Sequence, residues 1–381
     1  MNLSEENISA LRRLLDDESK HNVVIVSHTN PDGDALGSSL ALRAMFRHCG
    51  HKVTCIVPNK YPYFLDELCG VRNILTFKTC EAEAAEAVAE ADVVVCADMS
   101  TISRLENLSS LITANRSAVR VLVDHHLSPD SDFDIIFSHP DSSSTAFVVY
   151  GLIERIFGTQ FITPEIAEQL YVGMMTDTGN FSFSFLTPEL YRAVAVLAET
   201  GIDIPAIHNK VSNSYTEGRA RLFGYVINRK MKSLRKGTVA YMTLTEEEMR
   251  RFWFRQGDSE GFVNYPLTIK KMKMSAIFIE STGYIRISFR SRGDVDVDAF
   301  ARRYFNGGGH RNAAGGKSFV TMAETVDHFL ASVEEFAASG GFRSTKNAHG
   351  MAASEARTAA GPESQSSAQL PDAGSGTGQT S

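Results

Sequence analysis

The sequence is poor in the features that would place it outside a reducing, aqueous compartment. It has five cysteines, Cys49, Cys55, Cys69, Cys80 and Cys96, an odd number with no C-x-x-C pair. They read as reduced, mostly buried thiols of a cytoplasmic protein. No apolar run reaches the length needed to span a membrane. The N-terminus, Met-Asn-Leu-Ser-Glu-Glu-Asn, lacks the basic start and apolar core of a signal peptide. There is no excess of basic residues either: the net charge is −7. That argues against broad non-specific binding to long nucleic acid, while leaving room for a local basic cleft. No membrane and no stable protein partner is implied, and a homodimer stays open. With 43% hydrophobic and 22% charged residues over 381 positions, the chain has the balance and length of a two-domain globular protein.

The most informative stretch is His28-Thr29-Asn30-Pro31-Asp32-Gly33-Asp34. It follows the apolar run Val23–Val26 and precedes a helical pattern beginning at Ala35. One imidazole and two carboxylates in one loop compete for protons unless a cation sits among them. Asp and His together suit a divalent ion such as Mn2+ or Mg2+. By itself the same stretch is equally a Pro-Asp-Gly turn with an Asx cap opening the helix.

The rest of the chain bears on that choice. Residues 3–20 predict an amphipathic helix, 35–49 a second helix ended by Gly50, and 81–91 a third with a solvated charged face. Residues 23–27, 53–57, 93–97 and 119–123 are short, continuously apolar strands of the kind buried on both faces. Strands alternating with helices predict an α/β fold with a doubly wound, mainly parallel sheet. A long basic helix, about 216–233, lies within a linker at 213–235 and joins residues 1–212 to a smaller α/β domain at 236–342. In the latter, strands are expected at Val239–Leu244, Met274–Glu280 and Tyr284–Ser291, the last two as a hairpin, with helices at Val297–Tyr304 and 322–336. Residues 343–381, rich in Ala, Ser, Gly, Gln and Pro, are expected to be a disordered tail.

In a doubly wound sheet, ligands bind beyond the carboxyl ends of the strands. Three predicted strands end in candidate ligands: His28/Asp32/Asp34, Asp98, and Asp124/His125/His126. A fourth cluster around Asp177 follows the apolar segment Leu170–Met175. Adjacent strands lie about 4.8 Å apart, so these groups can converge within the roughly 4 Å of a two-metal site.

These residues resemble the successive motifs of the DHH phosphoesterase superfamily, and Gly307-Gly308-Gly309-His310-Arg311-Asn312-Ala313-Ala314-Gly315-Gly316 resembles the glycine-rich motif of its associated C-terminal domain. Order, spacing and length are most similar to its nanoRNase and pAp phosphatase branch over about residues 1–340. The resemblance implies two divalent cations, most simply Mn2+ with Mg2+ as the alternative. One would be held by His28, Asp32 and Asp98, and the other by Asp34, Asp98, His125 and Asp177, with Asp98 bridging. It implies an orienting role for Asp124, and a place for His126 facing the phosphate and assisting proton transfer. The catalytic set is then Asp98, Asp124, His125 and His126, in the cleft between the two domains. The implied activity is hydrolysis of short oligoribonucleotides to mononucleotides and of 3′-phosphoadenosine 5′-phosphate (pAp) to AMP. The alternatives are a pApA or cyclic-dinucleotide pathway phosphodiesterase, a DNA exonuclease of the same superfamily and a non-catalytic nucleotide sensor.

Substrate contacts are expected from Gly308, Gly309 and His310, where consecutive amides can cradle phosphate. Arg290 and Arg292 are candidate phosphate forks. Ser143 and Ser144 precede a helix at 146–157 and can serve either phosphate or an ordinary N-cap. Lys270, Lys271 and Lys273 read as a solvated strand face, and Trp253 and Phe254 as core rather than a base-stacking platform.

Overall fold

The computed structural model describes residues 3–342 apart from 128, 183 and 184. The expected tail, 343–381, lies outside the described residues. Helix α1 (Glu5–Leu15) is capped by Ser4 and buries Ile8, Leu11 and Leu15. Strand β1 (Asn22–Ser27) leads through a polar loop into α2 (Gly33–His48). There follow β2 (Lys52–Val57), β3 (Ile74–Thr76), α3 (Glu81–Ala89), β4 (Val93–Ala97), α4 (Leu108–Ala114), β5 (Val119–Asp124) and β6 (Ile135–Ser138). The strand order is β3-β2-β1-β4-β5-β6 and every pairing is parallel.

Alternation along the strands explains the two layers of helices. Val23 and Ile25 of β1, with Val93 and Val95 of β4, join the core built with α1, α2 and the helices α5 (Thr145–Ile156), α6 (Pro164–Asp177) and α7 (Pro188–Glu199). Val24, Val26, Val94 and Cys96 point the other way, onto Ala84 and Val88 of α3 and Leu108 and Ile112 of α4. Burial on both faces is why these strands read as unbroken apolar runs. Because β1 pairs with both β2 and β4, the order of winding reverses between β1 and β4. A crevice opens beyond the carboxyl ends of strands at such a point.

After α8 (Ile204–Ser212), helix α9 (Glu217–Tyr225) runs through a π turn at Val226–Lys230 into β7 (Lys232–Leu234). Then come β8 (Val239–Leu244), α10 (Glu246–Arg251), β9 (Met274–Ser281), β10 (Tyr284–Ser291), α11 (Val297–Tyr304), β11 (Gly308–His310), β12 (Ala313–Ser318) and α12 (Met322–Ala338). The second sheet has the order β11-β12-β10-β9-β8-β7, with β8 and β9 parallel and the other pairs antiparallel. Phe278, Phe289, Phe300, Phe305 and Phe329 fill its core. Burial of each contributes about 2–3 kcal/mol, which makes the sheet a rigid platform for β11.

Four expectations change. The basic helix does not run from 216 to 233: α9 ends at Tyr225 and the chain becomes a strand at Lys232. Its Arg219 stacks 3.4 Å from the Tyr215 ring centre, and Lys230 pairs with Glu248 at 2.7 Å, so part of its charge is spent locally. The apolar segment Leu170–Met175 is part of helix α6, so Asp177 arrives from a helix C-terminus. Lys270, Lys271 and Lys273 precede β9 in a turn and are not a strand face. Trp253 is 76% exposed, whereas Phe252 and Phe254 pack against the core. Of the cysteines, Cys55 and Cys96 are buried, their thiols pushed up to about 12 by burial, while Cys49, Cys69 and Cys80 are partly exposed. No helix among the described residues is long and apolar enough to cross a membrane.

Candidate metal centre at the sheet edge

The loop after β1 serves as a helix cap and as part of an acidic cluster at once. Asp32 caps α2, its Oδ1 accepting the N–H groups of Asp34 (3.0 Å) and Ala35 (3.1 Å). The cap leaves its other oxygen uncommitted, and Asp32 groups with His28 and Asp98. Asp34, in the first turn of α2, is buried and takes the Thr145 N–H on Oδ2 (2.7 Å) and the Ala146 N–H on Oδ1 (2.8 Å). The first turn of α5, with its partial positive charge, thus fixes the Asp34 carboxylate. Gly173 on α6 makes room for it: a Cβ there would lie 2.9 Å from Asp34 Oδ1 and 2.5 Å from the Ala146 Cβ.

Asp98 follows β4, the neighbour of β1 at the switch point. Its backbone is left-handed (φ 61), a conformation that costs of order 1–3 kcal/mol for a non-glycine residue and is held here by the surrounding bonds. Its N–H donates to Val123 O at 3.0 Å, and Thr145 Oγ1 donates to its Oδ1 at 2.9 Å. Oδ2 lies 3.3 Å from His28 Nε2, and Oδ1 lies 3.6 Å from His125 Nε2. His125 Nε2 is also 3.4 Å from Asp177 and 3.7 Å from Asp34. One carboxylate therefore stands between two groups, His28/Asp32/Asp98 and Asp34/His125/Asp177.

Both histidines are oriented alike. His28 Nδ1 is 2.9 Å from Thr29 O, and His125 Nδ1 is 3.3 Å from Ser142 O. An Nδ1–H donated to each carbonyl leaves the Nε2 lone pair aimed at carboxylates, which a cation between them satisfies. Electrostatics agree. Burial raises Asp34, and Asp98, Asp177 and Asp32 raise it further, well above the usual carboxylate range. Asp177 is pushed up to about 7, first by burial and then by Asp32 and Asp98, against the pull of His125 and Arg290. Burial also acts to raise Asp98, but the hydrogen bond from His28 and the positive charge favoured on His28 and His125 overcome it and hold the carboxyl well below its ordinary value. Carboxylates this crowded, with Asp34 and Asp98 buried and imidazole Nε2 atoms facing them, are a donor set that fits two divalent cations.

Asp124 is fully buried and its Oδ1 lies 2.7 Å from His126 Nδ1, while Oδ2 has no partner. Arg104 Nη1 lies 3.1 Å from His126 Nε2. A guanidinium only donates, so His126 is neutral, with its proton on Nδ1 toward Asp124. Burial holds its pKa below the ordinary histidine value. The Nε2 of His126, the residue expected to face the phosphate, is met by Arg104, which the sequence reading missed. Its one signal was a lone arginine six residues after Asp98 in the same strand-end loop.

The second sheet reaches the cluster through His310. Its ring centre lies 4.6 Å from that of His126 and 4.8 Å from that of His125. Burial, then His126 and His125, push its pKa down to about 2, so it is neutral. Arg290 is also brought here, its charge acting on Asp177 and Asp32. Arg292 is exposed beyond β10, and nothing among the described residues joins it to the cluster. The glycines act mainly by packing. The Gly309 N–H donates to Asp298 (2.7 Å) and is not open to phosphate, and a Gly309 Cβ would lie 2.6 Å from Ala313 O. Gly308 pairs with Gly315. The run places His310 instead of cradling a ligand by its amides. Ser144 is the N-cap of α5, its Oγ accepting from Phe147 N, and the amides of that helix end are occupied by Asp34. Ser143 Oγ is buried without a partner.

Comparison with known proteins identifies the family. Residues 22–174 match the model of the DHH family N-terminal domain, and residues 236–339 match the DHHA1 domain. The chain is 26% identical over 300 residues to a bifunctional oligoribonuclease and PAP phosphatase NrnA from Thermus thermophilus, covering 77% of this chain and 83% of that protein. It is 25% identical over 319 residues to the Bacillus subtilis protein of the same name, covering 82% and 93% respectively. A crystal structure of an exopolyphosphatase-related protein from Bacteroides fragilis superposes with a TM-score of 0.80 at 39% identity, over 87% of this chain and 97% of that one. The chain belongs to the DHH family of phosphoesterases, with a DHHA1 domain at its C-terminal end, and is a hydrolase acting on phosphoester bonds.

Proposed function

We propose that the protein is a Mn2+-dependent phosphoesterase that hydrolyses very short oligoribonucleotides to mononucleotides and removes the 3′-phosphate of pAp. The observation that carries this reading is Asp98 between the two ligand groups, 3.3 Å from His28 and 3.6 Å from His125. His28, Asp32 and Asp98 would hold one cation, and Asp34, Asp98, His125 and Asp177 the other. Such a pair supplies an ionised water near neutral pH and offsets charge on the phosphoryl oxygens.

The chain's own groups do the rest. Arg104 and Arg290 converge on the cluster from the two sheets and can fork phosphate oxygens. Asp124 holds His126 in one tautomer, and the neutral His310 can donate to or accept from a nucleotide. Ser143 Oγ remains a candidate substrate contact. The printed names of the relatives from Thermus and Bacillus support the two substrates. The crevice lies between two sheets and is faced by both, which suits a short substrate better than a polymer channel.

The experiment is a substrate panel of pAp, pApA, short RNA and pyrophosphate, with Mn2+ or Mg2+ added to metal-stripped protein. Phosphate from pAp and mononucleotides from the RNAs are expected, with Asp98→Ala inactive. Binding without product at any Mn2+ concentration would overturn the reading in favour of a nucleotide sensor.

A further inference from the structure

Asp32, at the edge of the candidate metal centre, also lines a cavity of about 560 Å3, within the size range of small-molecule sites. It is lined by the exposed Trp253 and by Met249, and by Tyr284 and Arg286 of β10. Trp253 is unusual twice over. It is 76% exposed, so folding recovers little from burying the largest apolar side chain. It also has a left-handed backbone (φ 51), a sparsely populated region for a bulky residue. Strain and exposure together at the mouth of a cavity are unfavourable for stability alone and point to a ligand.

The chemistry of the walls says which part of a ligand belongs there. Glu246, Glu260 and Glu280 outnumber Arg250 and Arg286. That lining repels phosphate, and it suits a neutral aromatic ring whose amino group can donate to a carboxylate. An indole face is a stacking platform for any base. We propose that this cavity is a nucleobase subsite. It takes the second nucleoside of a dinucleotide, the one pAp lacks, by stacking on Trp253 and by accepting from its exocyclic amino group. This rests on the hydrolytic reading above, and it assigns that same centre a determinant of substrate length and base.

Trp253 is the single tryptophan of the 381 residues, so its emission reports the subsite directly. On mixing Mn2+-loaded full-length protein with pApA in a stopped-flow instrument, quenching is expected before turnover, whereas pAp leaves the emission unchanged. Trp253→Ala should raise KM for pApA by about 5- to 150-fold, the range that base–aromatic stacking spans, with KM for pAp unchanged. Trp253→Phe should recover most of the loss, and pApU, without an exocyclic amine on its second base, should bind more weakly than pApA. Equal quenching by pAp, or equal effects of Trp253→Ala on both substrates, overturns the proposal while leaving the hydrolytic reading intact. Equal binding of pApU and pApA removes the carboxylate part. A wild-type protein that hydrolyses neither pAp nor pApA overturns both readings.

Discussion

The His310 ring, on β11 of the second sheet, stacks on that of His126, in the loop after β5 of the first, with centres 4.6 Å apart and planes 26° apart. This contact joins the DHHA1 sheet to the acidic edge of the parallel sheet, and it is made by a neutral imidazole, since burial and the two neighbouring histidines disfavour its charge. His310→Ala should therefore lower kcat/KM on both pAp and dinucleotides by up to about 10-fold, the loss of one hydrogen bond to the substrate worth about 0.5–1.5 kcal/mol. Bound Mn2+, measured by elemental analysis, should be unchanged, because none of the proposed metal ligands is removed.

Arg104 donates to His126 Nε2 and its charge lowers the His126 pKa. Arg104→Ala should raise that pKa, read from the pH dependence of the imidazole 15N shifts in the metal-free protein. The same variant should lose activity through KM more than through metal binding. An unshifted His126 titration would show that Arg104 is not held against the ring in solution.

Asp177 has its pKa raised to about 7 by burial and by Asp32 and Asp98, against an ordinary value of 3.8. In the metal-free protein the folded state binds this proton more tightly than the unfolded chain does. Its stabilising contribution is present below pH 4 and is lost as pH rises to 7. Asp177→Asn removes that dependence. The melting temperature of the metal-free variant, minus that of the wild type, should grow as pH rises from 5 to 8. Adding Mn2+ should reverse the order, because the wild type gains stability from the ion in proportion to its occupancy and the variant, short of a ligand, gains less. A constant difference across that pH range would show that the Asp177 pKa is not raised in the folded protein.

The parts of this fold legible in the sequence are those where local pattern and tertiary demand agree. β1, β2, β4 and β5 are buried on both faces, and their apolar runs carry that burial in composition alone. The strands β3 and β6 sit at the sheet edges, are three and four residues long, and were not anticipated. Leu170–Met175 is apolar all round because α6 is packed between α2, α5 and α7, and a short apolar run does not say whether it is strand or helix. At the site, strand-end carboxylates and imidazoles are visible as residue types. Arg104 and the Thr145 and Ala146 amides are not, because their roles come from which strand ends and helix ends the fold brings together. Ser143 and Ser144 show the same limit from the other side: an N-cap run is easily recognised, but its amides turn out to hold Asp34, 111 and 112 positions earlier than Thr145 and Ala146.

That arrangement makes Gly173 a point where packing and metal binding should fail together. A Cβ at Gly173 would meet the Ala146 Cβ at 2.5 Å and Asp34 Oδ1 at 2.9 Å, and both neighbours are held by α5, whose amides bind that carboxylate. Neither can yield without moving the other, so Gly173→Ala should cost about 1–3 kcal/mol of stability, as overpacking a filled core does. The displaced Asp34 should also weaken the site it shares with His125 and Asp177, lowering Mn2+ affinity in a calorimetric titration at a temperature where the variant remains folded. Gly224, whose Cβ would meet nothing within 4 Å, provides the control: Gly224→Ala should leave Mn2+ affinity unchanged. Should Gly173→Ala bind Mn2+ as tightly as the wild type, Asp34 would not be a ligand positioned by the contact between α2, α5 and α6.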